Sequence, residues 1–182
     1  MKPYHPAGLY EQVTEGTGTT VYVPGKGEDL HRRSLYTYWK RSVPNPAMML
    51  FDSPFRETCT VRRPRTNTPL QALNLLNDPT YVEASRLLAQ RMLVEGGESA
   101  ESRLTYGFRL VTARVPRPAE MTILKSALDR LLREFQEDRA GAASFLAVGE
   151  APTDAKLDIA VLASYTNLAS TLLNLDETVT KE

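Results

Sequence analysis

The stretch TNTPLQALNLLNDPTYVEASRLLAQRML, starting at Thr66, spells out two consecutive helix beginnings, and this constrains the fold more than any other part of the chain. Thr68 offers a hydroxyl to a first-turn amide, Pro69 suits the first helical position, and Gln71 is placed to reach back to the Thr68 amide. The spacing therefore predicts a capping box opening a short helix that stops near Asn77. Asp78 then caps a second helix with Pro79 in its first position. Val82, Leu87, Leu88 and Leu93 mark the expected buried side of that helix, and Gly96–Gly97 its end.

The same periodicity predicts further helices at about 99–113 and 118–138, a short one at 141–148, and a last one from Asp158 through IAVLASYTNLASTLLNL. The last is apolar on most sides, which places it in the centre of a bundle. Arg117 stands where a Ser or Thr cap would ordinarily precede Pro118, so that helix starts without a good side-chain cap. Upstream, EDLHRRSLYTYWKR has Leu30, Leu35, Tyr38 and Trp39 at roughly helical spacing, so a helix is expected from about Glu28. Pro44, Pro46 and Pro54 exclude a continuous helix beyond it, leaving Met48, Met49, Leu50 and Phe51 as a short apolar anchor within a loop. Residues 1–27 read as an irregular arm in which TGTTVYVPGKG holds one short strand. The tail DETVTKE reads as solvated. The expected fold is mainly α: one helical, bundle-like domain over 28–182, preceded by the arm and carrying a proline-rich basic loop.

Hydrophobic residues at 42% and charged residues at 24% are the proportions of a globular chain, not a disordered one. No apolar run is long enough to span a bilayer, and MKPYHPAGLYEQ has no apolar core of a secretory signal. The formal net charge is zero, yet the segment from Arg32 to Arg65 holds eight bases against Asp52 and Glu57, a local +6 balanced by −6 elsewhere. Such a band either marks an anion-binding face or pairs with the acids of its own fold. Cys59 is the sole cysteine, so the chain by itself forms no disulfide, redox pair or zinc cluster. A small buried apolar role is expected for it.

Within the band, Arg62, Arg63 and Arg65 supply rigid, permanently charged forks suited to sulfate, phosphate or carboxylate, and Arg32 and Arg33 add to them. Thr66, Asn67 and Thr68 bring further donors just before a helix N-terminus. Arginines beside Tyr36, Tyr38 and Trp39 have the composition of a base-stacking surface, but zero net charge argues against nucleic acid as the partner. Asp52 and Glu57 could serve as paired carboxylates of a glycosidase, although structural pairing with nearby arginines is the favoured use. His5 and His31 are the only histidines, and a surface role is expected for His31 in place of haem ligation. No HExxH, DxDxDG or GxSxG pattern occurs. The sequence names no catalytic residue and no metal ligand.

The blocks GEDLHRRSLYTYWKR, CTVRRPRTNTPLQALNLLNDP, LAVGEAP and LLNLDETVTKE, in that order, resemble planctomycete-specific domain 1, a domain of unknown function (1553). The resemblance runs from PYHPAGLYE to the C-terminus. It implies a module at the end of large exported or cell-surface planctomycete proteins, whose N-terminal regions carry a signal sequence, a cytochrome-c-like domain and a second domain of unknown function. It also implies an extracytoplasmic location and a link to the breakdown of complex polysaccharides. The haem site of such relatives, CxxCH, does not occur here, so no cofactor is expected in this chain. Met1 falls inside what is normally the middle of that domain, so the chain is expected to be a fragment or a truncated reading frame. The resemblance carries over no catalytic residue.

The function expected from residues and resemblance together is a non-catalytic accessory or interaction module that binds an anionic or sulfated glycan. Its partners would be the N-terminal domains of the full-length protein or another chain, and acidic polysaccharide. The alternative is a fragment of an enzyme acting on complex polysaccharides. Convergence of Arg62, Arg63 and Arg65 on an open cleft would favour a ligand site, whereas pairing of each with Asp or Glu of the last helices would favour a scaffold.

Overall fold

A computed structural model describes residues 1–5, 8–10, 22–40 and 43–180. Eight α-helices follow in order among them: α1 (Pro46–Leu50), α2 (Pro69–Asn77), α3 (Pro79–Glu95), α4 (Ala100–Thr112), α5 (Pro118–Glu137), α6 (Arg139–Leu146), α7 (Ile159–Leu173) and α8 (Asp176–Val179). The mainly α fold expected from periodicity is the fold observed. Backbone contacts group the chain into two compact units, Met1–Asn74 and Leu75–Glu182.

In the second unit, α7 is the centre, packing against α3, α5, α6 and α4. Its composition explains this position. Ala160, Ala163, Ser164 and Ala169 are small and fully buried, letting neighbouring backbones approach closely, while Leu162, Leu168 and Leu172 fill the space between. The buried hydroxyls of Ser164 and Thr166 donate to the carbonyls of Ala160 and Leu162 one turn back, so neither is left unsatisfied. Leu124, Leu128 and Leu131 of α5 complete the core with Leu104, Phe108 and Val111 of α4. Gly107 lies where the Met92 side chain crosses α4, and a Cβ there would stand 2.5 Å from the sulfur.

The Asp78 cap read from the sequence is present, and side-chain caps also open three later helices. Asp78 accepts from the Thr80 amide, Ser99 from Ser102, Asp138 from Gly141, and Asp158 from both Ala160 and Val161. At α5 the cap is the reverse half of a box: the Glu120 carboxylate accepts from the Arg117 amide at 2.6 Å. Glu120 also shares Arg114 with Glu177, and the Arg114 guanidinium lies over the Phe108 ring. Glu177 belongs to α8, so the tail expected to be solvated is tied down over 176–179.

In the first unit, the helix expected from Glu28 is replaced by two 3₁₀ turns, Gly27–His31 and Ser34–Tyr36, with extended backbone at Arg32 and Arg33. The competing force is pairing with the start of the chain: the Met1 ammonium donates to the Tyr36 carbonyl and the Tyr38 amide to the Met1 carbonyl. Met48–Leu50, expected as an anchor in a loop, form the one-turn helix α1, capped by the Asn45 side chain on the Met48 amide. The strand expected within TGTTVYVPGKG falls in part on 17–21, outside the described residues, and 22–26 carry no regular structure. Tyr10 and Tyr22 stack at 4.8 Å between their centroids, His5 meets both edge-on, and Lys2 and Lys40 sit over the rings.

Candidate functional site

The basic loop takes its shape from a knot between the end of α1 and the start of α2. Asp52 adopts φ of +58°, turning the chain sharply out of α1. Its carboxylate accepts from the Thr66 amide at 2.8 Å and from the Thr66 hydroxyl at 2.9 Å. Arg63 donates through Nε to the Asp52 carbonyl at 3.1 Å and through Nη2 to the Phe51 carbonyl at 2.9 Å. Gln71, almost fully buried, closes the knot by donating to the Leu50 carbonyl at 2.6 Å and to Thr66 Oγ1 at 3.1 Å. The capping box read from the sequence is present at this same point: Thr68 N donates to Gln71 Oε1 at 2.9 Å and Gln71 N to Thr68 Oγ1 at 3.3 Å. The carbonyls at the end of α1 thus find donors in Arg63, near the end of the loop, and in Gln71 beyond it, which closes residues 53–65 at their base.

The five arginines proposed from sequence are engaged in different ways. Arg63 is a strut of the loop base, and it meets main-chain carbonyls, not the carboxylates anticipated for it. Arg62 and Arg65 are exposed on the loop itself. Arg32 pairs with Asp29 at 3.2 Å, with both side chains more than half exposed, so this pair adds little stability. Arg33 is exposed between the two 3₁₀ turns. Arg56, at φ of +63°, lays its guanidinium over Trp39 at 4.6 Å, a contact the sequence did not specify.

Cys59, expected to be a small buried residue, is exposed, because the whole span 55–67 stands in solvent once the knot is tied. Phe55 and Val61 are exposed on the loop at 67% and 103%. The Asp52 carboxylate is occupied by Thr66, the structural use favoured from the sequence being met with a threonine in place of an arginine, and Glu57 is exposed on the loop. His31 is exposed at the end of its turn, and His5 lies among the tyrosines. Among the described residues no group of three or more His, Cys, Asp or Glu side chains is gathered as metal ligands.

Sequence reasoning missed a pair of buried charges in the second unit. Glu83 and Arg86 of α3 are only 3% and 2% exposed. Arg86 donates to the carbonyls of Leu146 and Ala151 and to Thr153 Oγ1, and the Glu83 carboxylate accepts from the amides of Glu150 and Ala151. Together they fasten the turn Ala147–Thr153, which contains most of the LAVGEAP block. A signal was present: Val82, Arg86, Ala89 and Leu93 share one helical stripe, so Arg86 stands where the apolar period calls for a hydrophobe. In the same unit, an open trough of about 990 Å³ runs along α4 beside Ser99, Ser102, Tyr106, Arg109 and Leu110. At its edge Tyr106, Glu95 and Arg91 are mutually hydrogen-bonded, which lowers the Glu95 carboxyl and raises the Tyr106 phenol.

No helix among the described residues is long and apolar enough to cross a membrane. Comparison with known proteins turned up no matching curated protein and no matching solved structure. The sequence model of one family, described as a protein of unknown function (DUF1553), matches residues 1–128. That span contains the basic loop, the knot at its base and the first turns of α5, and it leaves out LAVGEAP and the C-terminal block. The chain therefore belongs to the PSD1 family, whose members are described as proteins of unknown function (DUF1553).

Proposed function

We propose that this chain is a non-catalytic interaction module that presents the loop 53–65 to an anionic partner. The observation that supports the reading is the division of labour among the loop arginines. Arg63 is used up in closing the base, whereas Arg62 stands exposed on a loop whose two ends are fixed to each other. A loop held at its ends loses less conformational freedom when a ligand engages it, so its charges bind at a lower entropic cost than those of a free tail. Guanidinium forks suit sulfate, phosphate and carboxylate alike. An acidic or sulfated polysaccharide, the ligand implied by the resemblance to planctomycete exported proteins, is one such partner, and an extracytoplasmic location belongs to the same proposal.

The test is retention of the purified chain on immobilised heparin across a salt gradient, beside the Arg62→Glu variant. Binding that weakens steeply with salt and is lost in the variant is the expected result. A folded chain that passes through heparin and other polyanions unretained at low salt would refute it.

A further inference from the structure

The helix that follows the loop leaves one side open. On α2, Gln71 and Leu75 are buried, while Leu70, Leu73 and Leu76 are exposed at 59%, 56% and 46%. At 100° per residue these leucines fan over one side of the helix, opposite the buried pair. Three neighbouring leucines left half in water are more than the scattered apolar exposure of an ordinary surface. The loop adds Phe55 and Val61 to the apolar groups left exposed in this part of the chain.

The segment leading into this helix is mostly basic. Arg62, Arg63 and Arg65 directly precede α2 in sequence, and Gln71 and Thr66 bond the loop base to the first turn of the helix. Glu57 is the sole acid between Ser53 and Asn77, against Arg56, Arg62, Arg63 and Arg65. The positive end of the α2 dipole lies on the same side as these arginines. An apolar stripe next to a basic loop is complementary to a helix that has leucine-like residues on one face and Asp or Glu beside them.

Resting on the proposal that the basic loop engages an anionic partner, we propose that this partner is a polypeptide: an acidic amphipathic helix that seats its apolar face on Leu70 and Leu73 and its carboxylates against Arg62 and its neighbours. A polysaccharide would use the guanidiniums but leave the leucines in water, so the leucines are what separate the two ligands.

The test uses three synthetic peptides of about four helical turns. One has leucines on one face flanked by glutamates, the second has lysines in place of the glutamates, and the third is a scrambled order of the first. Binding is followed by fluorescence anisotropy against the full chain and against Leu73→Asp, Leu73→Gln and Arg62→Glu. Because Leu73 is exposed, both of its variants should keep the far-UV circular dichroism of the parent. The glutamate peptide should bind with salt-sensitive affinity, and each variant should weaken it by about tenfold or more. Equal binding of the lysine peptide, or no change in the Leu73 variants, would overturn the inference. Heparin retention that depends on Arg62 but comes without peptide binding would overturn it too, leaving the anionic reading intact with polysaccharide as ligand. Concentration-dependent self-association abolished by Leu73→Gln would overturn it in favour of a second copy of the chain on this face.

Discussion

Replacing Gly149 with alanine strikes the turn that Glu83 and Arg86 hold. Gly149 has φ of +90°, and an added Cβ would stand 2.0 Å from Glu83 Oε2 and 2.7 Å from its carboxyl carbon. That carboxylate cannot retreat without cost, because it is buried and accepts from Glu150 N at 2.8 Å and Ala151 N at 3.3 Å. An L-residue in this left-handed conformation costs about 1–2 kcal/mol. Pulling a charged acceptor off two amides costs about 1.5–3 kcal/mol for each, with the longer bond at the low end. The sum is roughly 4–6 kcal/mol, which for a chain of this length lowers the melting temperature by about 10–20 °C. Urea unfolding followed by circular dichroism measures the loss directly, and a mutant cycle with Glu83→Ala assigns its cause. With the carboxylate gone, Gly149→Ala should cost only the backbone part, about 1–2 kcal/mol. A Gly149→Ala variant within about 0.5 kcal/mol of the parent would refute the reasoning, as would an undiminished cost in the Glu83→Ala background.

Three further outcomes are expected. Thr68→Ala removes half of the capping box and should destabilise the fold by about 1 kcal/mol in the same urea titration. Arg63→Ala should speed tryptic cleavage within 53–65 several-fold, read by mass spectrometry of timed digests, while the midpoint of global unfolding moves little, since its bonds are exposed. The hydrogen bonds from Arg114 and from the Arg117 amide hold the Glu120 carboxyl down at about 2, and Arg114 lowers Glu177 as well. Groups depressed in the folded state contribute stability above their unfolded values and lose it as the pH falls. Unfolding free energy should therefore decline between about pH 5 and pH 2, and Glu120→Gln should flatten that decline; equal slopes in parent and variant would contradict the assignment.

The helices from α2 onward were legible because local chemistry and tertiary packing agree there. Thr68, Gln71, Asp78 and Pro79 each satisfy a backbone group within their own turn, and no distant contact is needed to read them. Leu87 is the exception on α3: it was grouped with the buried side, yet it stands about 140° round the helix from Val82, off the stripe of Val82, Arg86, Ala89 and Leu93, and it is exposed. The region before α1 was misread for a different reason. Its amides and carbonyls pair with Met1 and Lys2 more than thirty and twenty residues away, a partnership no local pattern announces. The loop arginines were legible as conspicuous, but not as different from one another. Whether Arg63 braces and Arg62 projects is decided by the φ of Asp52 and by where the chain returns at Thr66.

The bonds of Glu83 and Arg86 reach across 60 to 68 positions of sequence, and this bears on where the chain can be cut. Residue 128, where the family match ends, lies in the middle of α5, with half of that helix still to come. A polypeptide stopped there would carry both charges of α3 with none of the turn that satisfies them, and it would lack α7, around which the second unit packs. During synthesis the same condition holds until residue 153 has left the ribosome, so α3 has to wait in a solvated, unpacked state for its partners. The boundary of the matched sequence is therefore not a boundary of folding, and the second unit closes only when its final long helix arrives.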